Sequence, residues 1–253
     1  MYFPSYRTFA VGALALLTGA ACGPVPTAPV TEPVSLRPGD GVILAATLYR
    51  PPAQRPPGLI LVHRYGADRH SWDAVASRLR EAGYMALAID LRGHGERTRR
   101  QASGQSYRSF TTGDWLGALA DLRAAKQALV ARGADPANVA IAGEDIGANL
   151  ALHYALQDPD VQAIVMVSPG LDYQGIETED EIVRLTDCPV LLLAAEEDVY
   201  AATSARTLKR GAPVFCELRS YPGSAHGTDL FATSPNALEQ VIVWLDAVIA
   251  TKK

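Results

Sequence analysis

The stretch Val139-Ala140-Ile141-Ala142-Gly143-Glu144-Asp145-Ile146-Gly147-Ala148-Asn149-Leu150 decides how this chain folds. Its first four residues are apolar and half of them β-branched, as in a strand covered on both faces. From 148 to 156 the apolar residues recur at helical spacing. The reversal between strand and helix falls on Gly143-Glu144-Asp145-Ile146-Gly147. Two glycines in the frame G-x-D-x-G relieve crowding around a sharply turned residue, and that residue is an aspartate. Two glycines four apart arise by chance in many chains; their place between a buried strand and an amphipathic helix is what gives the frame meaning.

The same alternation runs outward in both directions. Short apolar runs occupy 59–62, 85–89, 163–167, 190–194 and 214–218, rich in Val, Ile and Leu and without strict polar alternation. Between them, 72–82, 115–129, 202–208 and 238–249 place apolar residues three and four apart, which predicts helices with one buried face. Residues 34–36 and 42–49 flank Arg37-Pro38-Gly39-Asp40-Gly41 and read as a hairpin. Alternating strands and helices predict an α/β fold with a mostly parallel central sheet, right-handed crossovers and helices on both faces. There is no internal repeat and no sign of a second domain.

The 253 residues are 48% hydrophobic and 20% charged, with a net charge of −4. This is the composition of a soluble globular protein. Without a basic stripe, nothing in it points to nucleic acid.

The first residues differ from the rest. Arg7 precedes an apolar run, 9–17, too short to span a bilayer, and Thr18-Gly19-Ala20-Ala21 leads to Cys22. Small residues before a cysteine resemble a bacterial lipobox, in which the thiol is acylated; Gly19 stands where such boxes usually carry Leu. The expected layout is therefore a signal peptide over 1–22 of lipoprotein type, a Pro-rich tether over 23–32, and one folded domain over 33–253. The chain is expected to be exported to the bacterial cell envelope, lipid-anchored or periplasmic, touching a membrane only through this N-terminal anchor. Export also permits a disulfide between Cys188 and Cys216, which precede two late strands; two buried thiols are the plainer alternative.

In an open parallel sheet, ligands bind beyond the carboxyl ends of the strands. After 190–194 comes Glu196-Glu197-Asp198, and after 214–218 comes Tyr221-Pro222-Gly223-Ser224-Ala225-His226-Gly227. After 59–62 comes His63-Arg64-Tyr65-Gly66, and after 85–89 comes Asp90-Leu91-Arg92-Gly93-His94-Gly95. His226 lies in a loop flanked by Gly, where an imidazole can reach a neighbour. Asp198 is favoured over Glu196 and Glu197 as its partner, because it stands at the far end of the loop and can turn back. Asp90 and His94 read as structural.

These stretches resemble the α/β-hydrolases, and among them the capless, dienelactone-hydrolase-like branch, over the chain from about Pro33 to its last helix. The order of elbow residue, acid and histidine is the order of that superfamily. The resemblance implies an α/β-hydrolase fold without a cap domain, a small-molecule substrate, and no cofactor or metal. Position by position, Asp145 takes the nucleophile place, Asp198 the acid place and His226 the base place. The backbone N–H groups of Tyr65 and Ile146 take the oxyanion-hole places. Two departures stand out: Asp145 replaces Ser or Cys, and Arg64 replaces the usual Gly. Glu144 adds a second carboxylate; Arg64, counted with Tyr65 and Ile146 among the oxyanion and substrate-binding residues, is expected either to pair with Asp145 and keep it ionised or to point to solvent.

An aspartate has no proton for His226 to remove. Its attack on an ester carbonyl would give an anhydride, whereas its attack on an alkyl carbon gives an ordinary ester, as in the haloalkane dehalogenases and epoxide hydrolases of this superfamily. Those enzymes usually carry a helical cap and a Trp after the aspartate; here 170–187 spans 18 residues and Ile146 follows Asp145. Three readings stay open: a hydrolase of small ester, lactone or alkyl-type substrates with Asp145 as nucleophile or base; an inactive homologue binding a ligand or partner at the old site; and a dehalogenase or epoxide hydrolase with an open site.

Overall fold

The computed structural model describes residue 1, residues 30–95 and residues 106–250. Cys22, the apolar run before it and most of the tether lie outside the described residues.

The chain opens with β1 (Thr31–Leu36) and β2 (Leu44–Tyr49), paired antiparallel as a hairpin. The first strand starts two residues ahead of the boundary expected at 33, because Thr31 and Glu32 pair with Tyr49 and Leu48. β3 (Gly58–Val62), a 3₁₀ turn (Arg69–Trp72), α1 (Asp73–Glu81) and β4 (Met85–Ile89) follow. Next come α2 (Thr112–Gly117), α3 (Leu119–Ala131), β5 (Val139–Glu144) and α4 (Ile146–Gln157). β6 (Val161–Val167) leads to a small ribbon of β7 (Asp172–Tyr173) and β8 (Ile176–Glu177) and to α5 (Glu179–Ile182). The chain closes with β9 (Val190–Ala195), α6 (Val199–Gly211), β10 (Cys216–Tyr221), α7 (Asp229–Thr233) and α8 (Ala237–Ala250).

Eight strands form one sheet in the order β1-β2-β4-β3-β5-β6-β9-β10. Only β1–β2 and β2–β4 are antiparallel; the other pairs are parallel. Successive side chains of each strand enter opposite layers. In β3, Ile60 and Val62 join a core with Trp115, Leu122, Ile146 and Leu150, while Leu59 and Leu61 join one with Trp72, Leu79, Trp244 and Leu245. Both layers are apolar, so the strands show no polar alternation in sequence. The 170–187 segment holds only the β7–β8 ribbon and α5, and among the described residues no cap domain covers the sheet.

Two expectations need correction. The single helix expected over 115–129 is two helices, Thr112–Gly117 and Leu119–Ala131, with Ala118 between them and Gly117, a poor helix former, at the junction. Cys188 and Cys216 are buried but not bridged to each other. β9 and β10 pair in parallel with Cys216 opposite Val190. Cys188 therefore lies two residues out of register, which separates the Cα atoms by about 8 Å, beyond the usual disulfide span.

Leu61 is fully buried on a strand flanked by β4 and β5. Leu61→Ala is expected to cost about 2–5 kcal/mol of stability, read as a lower urea midpoint with an unchanged slope.

Candidate active site

Asp145 stands between β5 and α4 with φ 55° and ψ −123°, one of few non-glycine residues here with positive φ. The backbone holds this costly conformation because its neighbours leave no alternative. A Cβ on Gly147 would lie 2.4 Å from the Val62 carbonyl oxygen, so the first turn of α4 packs directly on the end of β3. That contact delivers the Asp145 side chain to the end of β3, into a setting where it is only 8% exposed.

Its two carboxylate oxygens meet different partners. Oδ1 accepts from the backbone N–H of Ile146 at 2.5 Å and from that of Tyr65 at 3.2 Å. Oδ2 lies 3.2 Å from His226 Nε2. The other ring nitrogen, Nδ1, is 2.6 Å from Asp198 Oδ2. The N-terminus of α4 adds a favourable dipole for the anion. Asp145, Asp198 and His226 follow three separate strands and meet at the carboxyl end of the sheet, while Glu196 and Glu197 point to solvent. The two N–H groups expected to form an oxyanion hole do converge, and the oxygen between them belongs to Asp145.

Two buried histidines hold the loop that carries Tyr65. His63 donates from Nδ1 to the Arg64 carbonyl at 2.8 Å and accepts at Nε2 from the Leu91 N–H at 3.0 Å. Burial pushes its pKa down to about 4, so it is neutral at pH 7 and suited to one donor and one acceptor role. His94 stacks on Tyr107 with ring centroids 4.0 Å apart and has the Gly66 N–H 3.4 Å from its Nε2. Asp90, also fully buried, accepts from the N–H and guanidinium of Arg69 at 2.9 and 2.7 Å. The D-x-R-G-H-G turn thus braces the neighbouring loop.

Arg64 does not pair with Asp145. Its Nη1 lies 3.3 Å from Glu144 Oε2 and 3.6 Å from Asp229 Oδ2. Glu144 is the last residue of β5 and Asp145 follows the reversal, so the two carboxylates leave the backbone in different directions and only Glu144 meets the guanidinium.

Three further residues shape the site. Ser168, the residue after β6, has φ 48°, and its Oγ accepts from the Gly227 N–H at 2.9 Å, fixing the loop beside His226. The Ser168-Pro169-Gly170 turn after a strand was the available sign. Ser71 donates to Glu144 at 2.6 Å, and nothing in the local sequence marks it. The Tyr173 phenol is pushed far up, first by burial and then by the charges of Asp145 and Asp198, so it stays protonated beside the two aspartates. Among the described residues, no group of three His, Cys, Asp or Glu side chains is placed to hold a metal ion.

The hydrogen bond that His226 donates to Asp145 leads the forces that raise the His226 pKa to about 9; burial opposes it and Asp198 adds to it. The two neighbouring aspartates therefore favour the protonated form of the ring.

Residues 44–240 match the model of the dienelactone hydrolase family. Epoxide hydrolase 3 of Siraitia grosvenorii is 35% identical over 114 residues, 44% of this chain and 32% of that protein. Epoxide hydrolase B of Mycobacterium tuberculosis is 32% identical over 121 residues, 47% of this chain and 30% of that protein. Each of these matches spans about a third of the relative's length. Among solved structures, a dienelactone hydrolase from Anabaena variabilis superposes with a TM-score of 0.67 at 21% identity, covering 87% of this chain and 97% of the other, a likeness of fold.

The His226 pKa gives a signed expectation for stability. A histidine raised from 6.5 to about 9 on folding contributes stability that is fully present below pH 6.5 and is lost as pH rises through 9. The melting temperature is expected to fall across that window, and His226→Gln is expected to flatten the fall.

Proposed function

This chain belongs to the dienelactone hydrolase family, and we propose that it hydrolyses small molecules at an electrophilic alkyl carbon, as an epoxide presents. In this reading Asp145 is the nucleophile, His226 the base and Asp198 the residue that orients it. The observation that carries the reading is the division of the Asp145 carboxylate, one oxygen on two N–H donors and the other on His226. The two epoxide hydrolases whose segments match this chain give the substrate class its support.

The chemistry follows from that division. Oδ2 attacks the alkyl carbon, the bond to the leaving atom breaks with its electron pair, and an ester of Asp145 forms. Oδ1 becomes the ester carbonyl oxygen without moving from its donors. Esterification removes the charge that contributes most to holding the proton on His226. The imidazole then releases that proton to solvent or to the departing alkoxide and becomes competent to take one from water. The resulting hydroxide adds to Cγ of Asp145. Negative charge develops on Oδ1, where the N–H groups of Tyr65 and Ile146 stabilise it. Collapse expels the product alcohol and restores the carboxylate.

Direct attack on an ester carbonyl fits less well. It would produce an anhydride, and a substrate carbonyl would have to displace Oδ1 from the two donors. A site that only bound a ligand would need no such division of the carboxylate.

Trapping tests the reading. Incubated with styrene oxide, His226→Gln is expected to accumulate one covalent adduct per chain, mapped to Asp145 by mass spectrometry. Wild type in ¹⁸O-water is expected to place ¹⁸O in the Asp145 carboxylate during a single turnover. No adduct and no turnover across a panel of epoxides and haloalkanes would sink the nucleophile role and leave the ligand-binding reading.

The N-terminus adds a proposal of place: acylation of Cys22 tethers the domain to the cell envelope. Metabolic labelling with a fatty acid is expected to mark the wild-type chain and not Cys22→Ser, with the variant recovered in the soluble fraction.

A further inference from the structure

Glu144 takes no part in the chemistry above, yet it is the most enclosed charged group at the site. The residue is 0% exposed. A carboxylate in such surroundings is tolerated only when its oxygens are fully bonded. Three donors from three separate segments supply the bonds. Ser71 Oγ, in the 3₁₀ turn after β3, donates to Oε1 at 2.6 Å. The Thr228 N–H donates to Oε2 at 2.7 Å, and Arg64 Nη1 reaches the same oxygen at 3.3 Å.

The positions of these donors in the chain give the contact its meaning. Thr228 is two residues after His226, and Arg64 is the residue before Tyr65. A Cβ on Gly227 would lie 2.2 Å from Glu144 Oε2, so the His226 loop rests on the carboxylate itself and only glycine permits it. One buried side chain therefore touches both loops that bring partners to Asp145, and it projects from the residue directly before Asp145. Arg64 and Glu144, two unusual residues of the motifs, form a single ion pair.

We propose that Glu144 is a positioning residue, whose buried carboxylate sets the His226 loop and the Tyr65 loop so that the imidazole and the N–H reach the two oxygens of Asp145 together. The inference rests on the reading of His226 and Asp145 as a working pair. It differs from a role in stability alone, because Ser168 independently holds Gly227 and the core lies elsewhere. It also differs from a direct effect of charge: Asp145 and Asp198 are the charged groups that raise the His226 pKa, and Glu144 is not among them.

The test is an NMR titration of His226 in the full chain with ¹⁵N-labelled histidine, assigned by its loss in His226→Gln and run beside melting curves. In wild type the midpoint is expected near 9. Glu144→Ala removes the carboxylate's bonds to both loops and leaves the Ser168 bond in place; it is expected to lower the midpoint by at least one unit, a tenfold loss of proton affinity. Ser71→Ala leaves the Glu144 charge in place and removes one donor; it is expected to lower the midpoint by a smaller, resolvable amount, and it decides the matter if Glu144→Ala does not fold. A midpoint unmoved in these variants, whatever their melting temperatures, overturns the positioning role and leaves the Asp145–His226 pair standing. A wild-type midpoint near the ordinary 6.5 overturns both.

Discussion

The packing of Gly147 against the end of β3 is the constraint on which the site depends. A side chain there would collide with the Val62 and His63 carbonyl oxygens at 2.4 and 2.7 Å. Because α4 starts so close to β3, the residue joining β5 to α4 must reverse within a single φ/ψ pair, and Asp145 takes the positive φ that this requires. The same closeness brings the Tyr65 and Ile146 N–H groups to one point. Nucleophile position and donor pair are thus one geometric consequence, which explains how a carboxylate fits a turn that a shorter side chain occupies elsewhere in the superfamily: its additional oxygen fills the point where the donors already converge.

Sequence showed the fold wherever an element's own residues decide it. The apolar runs at 59–62, 85–89 and 190–194 became β3, β4 and β9, because strands buried on both faces need continuous apolar residues. Asp145, Asp198 and His226 were legible because each follows a strand in a loop with Gly or acidic residues. Features that depend on two distant segments were not legible in the same way. The register of β9 against β10 decides whether Cys188 can meet Cys216, and no local signal sets it. Arg64 faces Glu144 and not Asp145 because of a reversal that lies 80 residues further along the chain. Ser71 and Ser168 are ordinary residues in their own stretches and gain their meaning only from what folds against them.

Charge at the site is arranged in two compartments. Asp145, Asp198 and the imidazole form one, and Glu144, Arg64 and Asp229 form the other. Each contains two carboxylates and one cation. The first is where protons and bonds are proposed to change, and its members are held by hydrogen bonds that a substrate can exchange. In the second, the buried Glu144 carboxylate is bonded to the backbone N–H of Thr228 and to Ser71 as well as to Arg64. Keeping the Arg64 cation on Glu144 leaves Asp145 with a partner that can lose its charge. A guanidinium at pH 7 cannot release a proton; an imidazolium can. Had Arg64 paired with Asp145, the proposed nucleophile would be held by a permanent cation throughout the reaction.

This difference between a permanent and a removable cation bears on why an aspartate can work beside a histidine that is charged at rest. The pair Asp145–His226 stabilises the resting carboxylate, and that stabilisation must be given up when Oδ2 forms a bond to carbon. In the proposed reaction the loss is bounded, because the two N–H donors that hold Oδ1 in the free carboxylate are placed to stay with it through the ester and the tetrahedral intermediate. The gain comes one step later. In the proposed reaction, esterification of Asp145 removes the leading contribution to the raised His226 pKa and frees the imidazole to act as the base. The covalent step itself thereby prepares the group needed for hydrolysis. In the proposed cycle the resting imidazolium cannot deprotonate water, whereas the ring beside an alkylated Asp145 is a neutral base oriented by Asp198, which lies 2.6 Å from it in the free site. On this reading the order of events is set by electrostatics within a fixed frame, with no need for a cap to close or for either side chain to travel.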